Sequence, residues 1–165
     1  MQNNFQNTNN VINAPSAFKA WYDTLILPSW TPAPGVIGLI WSLLYPLITA
    51  LTVYASYKVY KGEMSKIILI PIAISWILNF AFVFFQMRLL NNTLALADIV
   101  LMLISIIFIV YFAYSKSNLT NSALSLSSLG GKFEAKNIYA LLWAPYLIWV
   151  SIATVLQSTI WWLNR

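Results

Sequence analysis

The chain has 165 residues, of which 60% are hydrophobic and only 8% charged, with a formal net charge of +5. Soluble domains carry about a quarter charged residues, so this composition places the chain in a bilayer. It contains no cysteine and no histidine, which excludes disulfides, thiol nucleophiles, the commonest zinc and haem-iron ligands and the usual neutral-pH proton shuttle. The expectation is a protein with no metal and no resident cofactor, working with aromatic rings, amides, hydroxyls and a few carboxylates.

Residues 1–20, MQNNFQNTNNVINAPSAFKA, hold six asparagines and no apolar run. They read as a polar, flexible tail, neither signal peptide nor span. Residues 21–35, WYDTLILPSWTPAPG, crowd Trp21, Trp30, Pro28, Pro32 and Pro34 into a short loop just before a long apolar run. A bilayer core takes roughly 20 apolar residues per helix, and four stretches qualify: 36–57, 67–87, 93–115 and 137–164. Lipid offers no hydrogen bonds to exposed backbone, and these runs are too continuous for the alternating pattern of barrel strands. The predicted fold is therefore an all-α integral membrane bundle of four transmembrane helices. The Ser/Asn/Gly-rich stretch 116–136 is its one long extramembrane linker, with Gly130-Gly131 as a break. No internal repeat beyond the succession of spans is visible, which disfavours an inverted-repeat transporter.

Basic residues set the orientation. Lys58, Lys61, Lys66, Lys116, Lys132 and Lys136 follow the first and third spans, whereas Lys19, Arg88 and Arg165 flank the other face. The positive-inside rule puts the first set in the cytoplasm and both termini outside it. Tyr54, Tyr57, Tyr60, Tyr111, Tyr114 and Tyr139 form the aromatic belt at the cytoplasmic level, and Trp30, Trp161 and Trp162 the opposite one. This bias accounts for the net charge, so no nucleic-acid partner is expected. Without a signal peptide or a barrel pattern, a bacterial inner membrane is favoured.

Polar and aromatic residues inside the spans mark a candidate site, because polar groups at membrane depth are expensive and face the bundle interior. Asn79, Phe82 and Gln86 share one face of the second span, and Tyr146, Trp149, Ala153 and Leu156 one face of the fourth. Trp41 and Tyr45 stand one turn apart in the first span; Asp98 and Ser105 lie on the third. Any one of them is more often helix-packing material than a ligand contact. As a set they describe an apolar pocket with few orienting polar groups. Asp98, near the start of its helix, is placed either to favour the helix N-terminus or to pair with Arg88. Pro46, Pro71 and Pro145 read as kinks or first-turn prolines.

Three blocks resemble the TspO/MBR family of tryptophan-rich sensory and translocator proteins. WYDTLILPSWTPAPGVIGLIWSLLY carries its W-Y-x-x-L-x-x-P-x-W-x-P loop and W-x-x-L-Y helix; LNFAFVFFQMRLLNNTLALADIVL and APYLIWVSIATVLQSTIWWLN follow in the family's order. The resemblance implies a five-helix bundle whose pocket accepts porphyrins, haem, sterols and aromatic drugs. By position it implies that Trp41, Asn79 and Trp149 line the pocket, that Tyr45, Phe82, Tyr146 and Ala153 shape it, and that Trp21, Trp30 and Pro32 belong to a lid over it. Large amphipathic rings would supply the cover, and prolines would hold the loop extended. Departures include the family's first helix, for which only the Asn-rich tail stands here; Ala33 for the second proline of the lid; Phe82 for a tryptophan; and tryptophans where the terminal sterol motif has a tyrosine.

The resemblance and the residues together predict binding of tetrapyrroles or similar flat hydrophobic ligands, for sensing or transport. Light-dependent porphyrin breakdown is the alternative, with Trp21 and Trp149 as its residues by resemblance. A small exporter coupled through Asp98 is a third. Besides the ligand, membrane lipid is an expected partner, and a loose homodimer through the flanks of the first two spans is expected because Gly38 is the only glycine within either 36–57 or 67–87.

Overall fold

The computed structural model describes residues 17–115 and 135–165. The residues read as the tail, up to 16, and almost all of the linker read as 116–136 lie outside the described residues. All regular structure among the described residues is helical. Helix α1, Ala17–Tyr22, already begins inside the stretch read as a tail. It leads into an irregular loop and then α2, Pro34–Tyr60. The second span starts with a tight turn at Lys66–Ile68, continues as α3, Leu69–Val83, and ends in a π-helical turn at Phe84–Arg88. Helix α4 is Asn92–Ser115, and the last span divides into α5, Ala135–Leu142, and α6, Ala144–Leu163.

Four helical segments are long and apolar enough to cross a membrane: Pro34–Tyr60, Lys66–Arg88, Asn92–Tyr114 and Ile138–Leu163. The protein is an integral membrane protein. Its prolines explain the breaks. Pro34 opens α2 and Pro145 sits in the first turn of α6, where a missing N–H costs nothing, and Pro145 accounts for the interruption at Trp143. Pro46 alone lies in a helix interior. Gly62, in the turn after α2, has φ +73°, which a glycine adopts without strain.

Helix α4 is the centre of the bundle, with 39% of its spanning window buried against 17% for α2. Its stripe Ile99, Met102, Ile106 and Ile109 is at most 2% exposed. One face of α2 supplies Leu44, Ile48, Leu51 and Ala55 to the same core. The opposite side of α2, with Leu39, Leu43 and Val53, is exposed, as a lipid-facing surface would be. Ser105 Oγ donates to the Pro71 carbonyl at 2.6 Å, joining α4 to α3. Tyr139, read as part of the interfacial belt, is instead buried and donates to the Leu51 carbonyl at 3.2 Å.

Candidate functional site

Side chains from α2, α3 and α6 converge on one aromatic cluster. Asn79, 4% exposed, donates through Nδ2 to the Tyr146 hydroxyl at 2.5 Å and to the Ser75 carbonyl at 2.8 Å. These bonds hold the amide in one orientation and tie α3 to α6 at membrane depth. Around this pair, Trp41 stacks on Tyr45 with ring centroids 5.3 Å apart and meets Tyr146 edge-on at 6.4 Å. Both are favoured aromatic geometries. Tyr45 also stacks on Trp76 at 6.3 Å, and the Trp76 indole donates to Thr52 Oγ1 at 3.1 Å. Trp149 belongs to the buried core, and Phe82 and Ala153 pack against it. Ring contacts and the Asn79 bond thus join Trp41, Tyr45, Asn79 and Tyr146, while Phe82, Trp149 and Ala153 share the hydrophobic core of the bundle.

The polar accounting of this region is incomplete. The indole nitrogens of Trp143 and Trp149 and both carboxylate oxygens of Asp98 are buried without a hydrogen-bond partner. Such groups are rare in folded proteins, since each loses its water without compensation. The pairing of Asp98 with Arg88 considered from the sequence does not occur: Asp98 is 3% exposed, and no ion pair among the described residues includes it. Further along α6 toward the C-terminus, Gln157 Nε2 approaches Gln86 Oε1 at 3.5 Å and Asn92 Oδ1 at 3.3 Å. These long contacts form a polar rung between α6, the π-helical turn and α4.

The residues read as the lid occupy a different level. Trp30 is 48% exposed and Pro32 half-buried. Trp21 lines an interfacial cleft together with Trp161, and its ring contact is to Phe18 at 6.0 Å. Trp149 is not among the residues lining that cleft. Partial burial pushes the nearby Tyr22 hydroxyl above its usual range. The loop is fastened at Ile26, whose N–H donates to Asn164 Oδ1 at 2.8 Å and whose carbonyl accepts from Asn164 Nδ2 at 2.9 Å. Thr24 and Thr31 tighten it further through bonds to the carbonyls of Trp21 and Pro28.

The sequence profile of the TspO/MBR family matches residues 5–163. The chain belongs to the TspO/MBR family. It is 34% identical over 146 residues to the tryptophan-rich protein TspO of Bacillus cereus, covering 88% of this chain and 82% of that protein. It is 33% identical to the membrane protein YtaB of Bacillus subtilis, covering 85% and 77% of the two chains. The human translocator protein is 26% identical over 148 residues, covering 86% and 73%. The TspO/MBR match begins at residue 5, so similarity reaches into the Asn-rich stretch.

Two contributors to this TspO/MBR site escape sequence reasoning. Trp76 lies three residues before Asn79, a spacing that could have placed it on the same face. Asn164 closes the family's last block, but its partner Ile26 is 138 residues away, a separation that no local pattern reveals.

Proposed function

We propose that the protein binds flat hydrophobic ligands of the tetrapyrrole type in the aromatic cluster between α2, α3 and α6, for sensing or transport across a bacterial inner membrane. The observation that carries this reading is the buried Asn79–Tyr146 pair with the stacked and edge-on rings around it, and a Trp149 indole donor that is buried in the same core and lacks an acceptor. Rings already at stacking distance offer faces between which a planar guest can slide. The amide, the hydroxyl and the free indole N–H supply a few orienting groups in an otherwise apolar setting. Helix α2 carries two of the rings and is the least buried span, so its displacement is the least costly way in. Membership of the family and the bacterial relatives support both the ligand class and the membrane.

The test is a titration of detergent-purified protein with protoporphyrin IX, followed by quenching of its eight tryptophans. Trp149→Ala and Asn79→Ala should each weaken binding by about 1–3 kcal/mol through lost stacking or a lost orienting bond. Unchanged affinity in both folded variants would remove these residues from the site.

A further inference from the structure

The interfacial end of the bundle carries a second site, distinct from the aromatic cluster. A cleft of about 540 Å³ opens between the start of the loop after α1, the turn joining the second span to α4, and the end of α6. Trp21, Leu25, Leu90 and Trp161 give it apolar walls, while Asn91 and Arg165 stand among its polar lining. The Trp161 ring is held by its indole bond to Thr93 Oγ1 at 3.0 Å.

Arg165 has the only charged side chain among the residues lining the cleft. Its guanidinium lies 3.2 Å from the Trp162 ring centroid and 5.7 Å from that of Trp161, and it takes part in no ion pair among the described residues. The nearest acidic residue in sequence to the loop wall, Asp23, is bonded to Lys19 at 2.6 Å. Asn91 uses its carbonyl oxygen to accept from the N–H groups of Thr93 and Leu94, both at 3.0 Å. That arrangement leaves its amide N–H groups as donors.

The turn beneath the cleft is built at a conformational cost. Leu90 has φ +51°, the only positive φ outside glycine among the described residues. A leucine in the left-handed region clashes with its own backbone, and such strain persists where the surroundings hold it in place, commonly at functional sites. The preceding π-helical turn does the holding: Leu89 N–H donates to the Phe84 carbonyl and Asn91 N–H to the Phe85 carbonyl, each at 3.1 Å. Short π segments are themselves frequent at functional sites. A glycine would adopt this φ freely, but it would not supply the apolar side chain that Leu90 places on the cleft wall.

We infer that this cleft binds the anionic head of an amphiphile at the membrane surface, with Arg165 and Asn91 on the acidic group and Trp21, Leu90 and Trp161 on the adjoining apolar stem. A guanidinium held on an aromatic face is weakly hydrated and suited to phosphate or carboxylate. Rings at the headgroup level accept the first methylenes of a chain. The acidic group can come from a lipid headgroup or from a free carboxylate ligand, and both share this chemistry.

The experiment is native mass spectrometry of the protein released from neutral maltoside micelles. The micelles are doped either with dioleoylphosphatidylglycerol against dioleoylphosphatidylcholine, or with oleic acid against methyl oleate. At least one acidic probe should be retained over its uncharged or zwitterionic counterpart by on the order of tenfold, the factor that one charge-assisted hydrogen bond supplies. A phosphatidylglycerol preference identifies the lipid as the source; a preference for oleate alone identifies a free carboxylate. Arg165→Gln should abolish the preference by removing the charge. Leu90→Gly should lower retention of both members of each pair severalfold and leave their ratio unchanged, while melting no lower than the parent, because the backbone strain is relieved. Equal retention within both pairs, an undiminished preference in Arg165→Gln, or undiminished retention in Leu90→Gly would overturn the assignment.

Discussion

Removing the Tyr146 hydroxyl isolates the contact at the centre of the aromatic cluster. Tyr146→Phe keeps the ring, its edge-on contact with Trp41 and its complete burial, and deletes only the oxygen that accepts from Asn79 Nδ2. The bond to Ser75 survives, so one N–H of the amide stays satisfied and the other loses its partner in a buried position. The net value of a hydrogen bond is about 1 kcal/mol, and a stranded buried donor costs about 1–3 kcal/mol. Within membrane bundles such bonds average about 0.6 and reach about 1.7 kcal/mol. We therefore expect Tyr146→Phe to destabilise by about 1–2 kcal/mol. Asn79→Leu destabilises by a similar amount, having lost the same bond and left the hydroxyl without its donor. In the double variant no unpaired partner remains, so its loss should fall short of the sum of the singles by about 1 kcal/mol. Equilibrium unfolding in mixed maltoside–dodecyl sulfate micelles, read by tryptophan fluorescence, measures all four corners of the cycle. Additive losses, with a coupling below about 0.3 kcal/mol, would refute the claim that this bond joins α3 to α6.

Gly38 lies inside α2 with nothing within 4 Å of where a Cβ would stand, so Gly38→Ala should raise stability by about 0.5–1 kcal/mol in the same unfolding assay. Asn164→Ala removes both bonds to Ile26; amide exchange across residues 23–33 should accelerate by about tenfold or more, while the core of α4 keeps its protection. Single cysteines along the exposed side of α2, at Leu39, Leu43 and Val53, should cross-link weakly and in a detergent-sensitive manner, the mark of a loose homodimer without a small-residue seam. A protein that remains monomeric in lipid nanodiscs at every concentration would count against that dimer.

The fold was largely legible in the sequence because a bilayer narrows the options. Apolar runs of this length must satisfy their own backbone and can do so only as helices, so the four spans stand within a few residues of where composition puts them. Pro145, read as a kink or first-turn proline, stands in the first turn of α6, whereas Pro34, read as the end of the loop, opens α2. Helical periodicity placed Asn79 and Phe82 on one face and Tyr146, Trp149 and Ala153 on another, since side chains three or four residues apart share a face whatever packs against it. Which faces meet is a property of the whole bundle. Only the tertiary structure decides that Asn79 bonds Tyr146, that Trp76 joins the ring stack, that Asp98 is sealed away from Arg88, and that Asn164 fastens Ile26. The π-helical turn and the left-handed Leu90 are of the same kind. Leucine has no local preference for that conformation, and it arises because the turn between two packed spans must close in the few residues available.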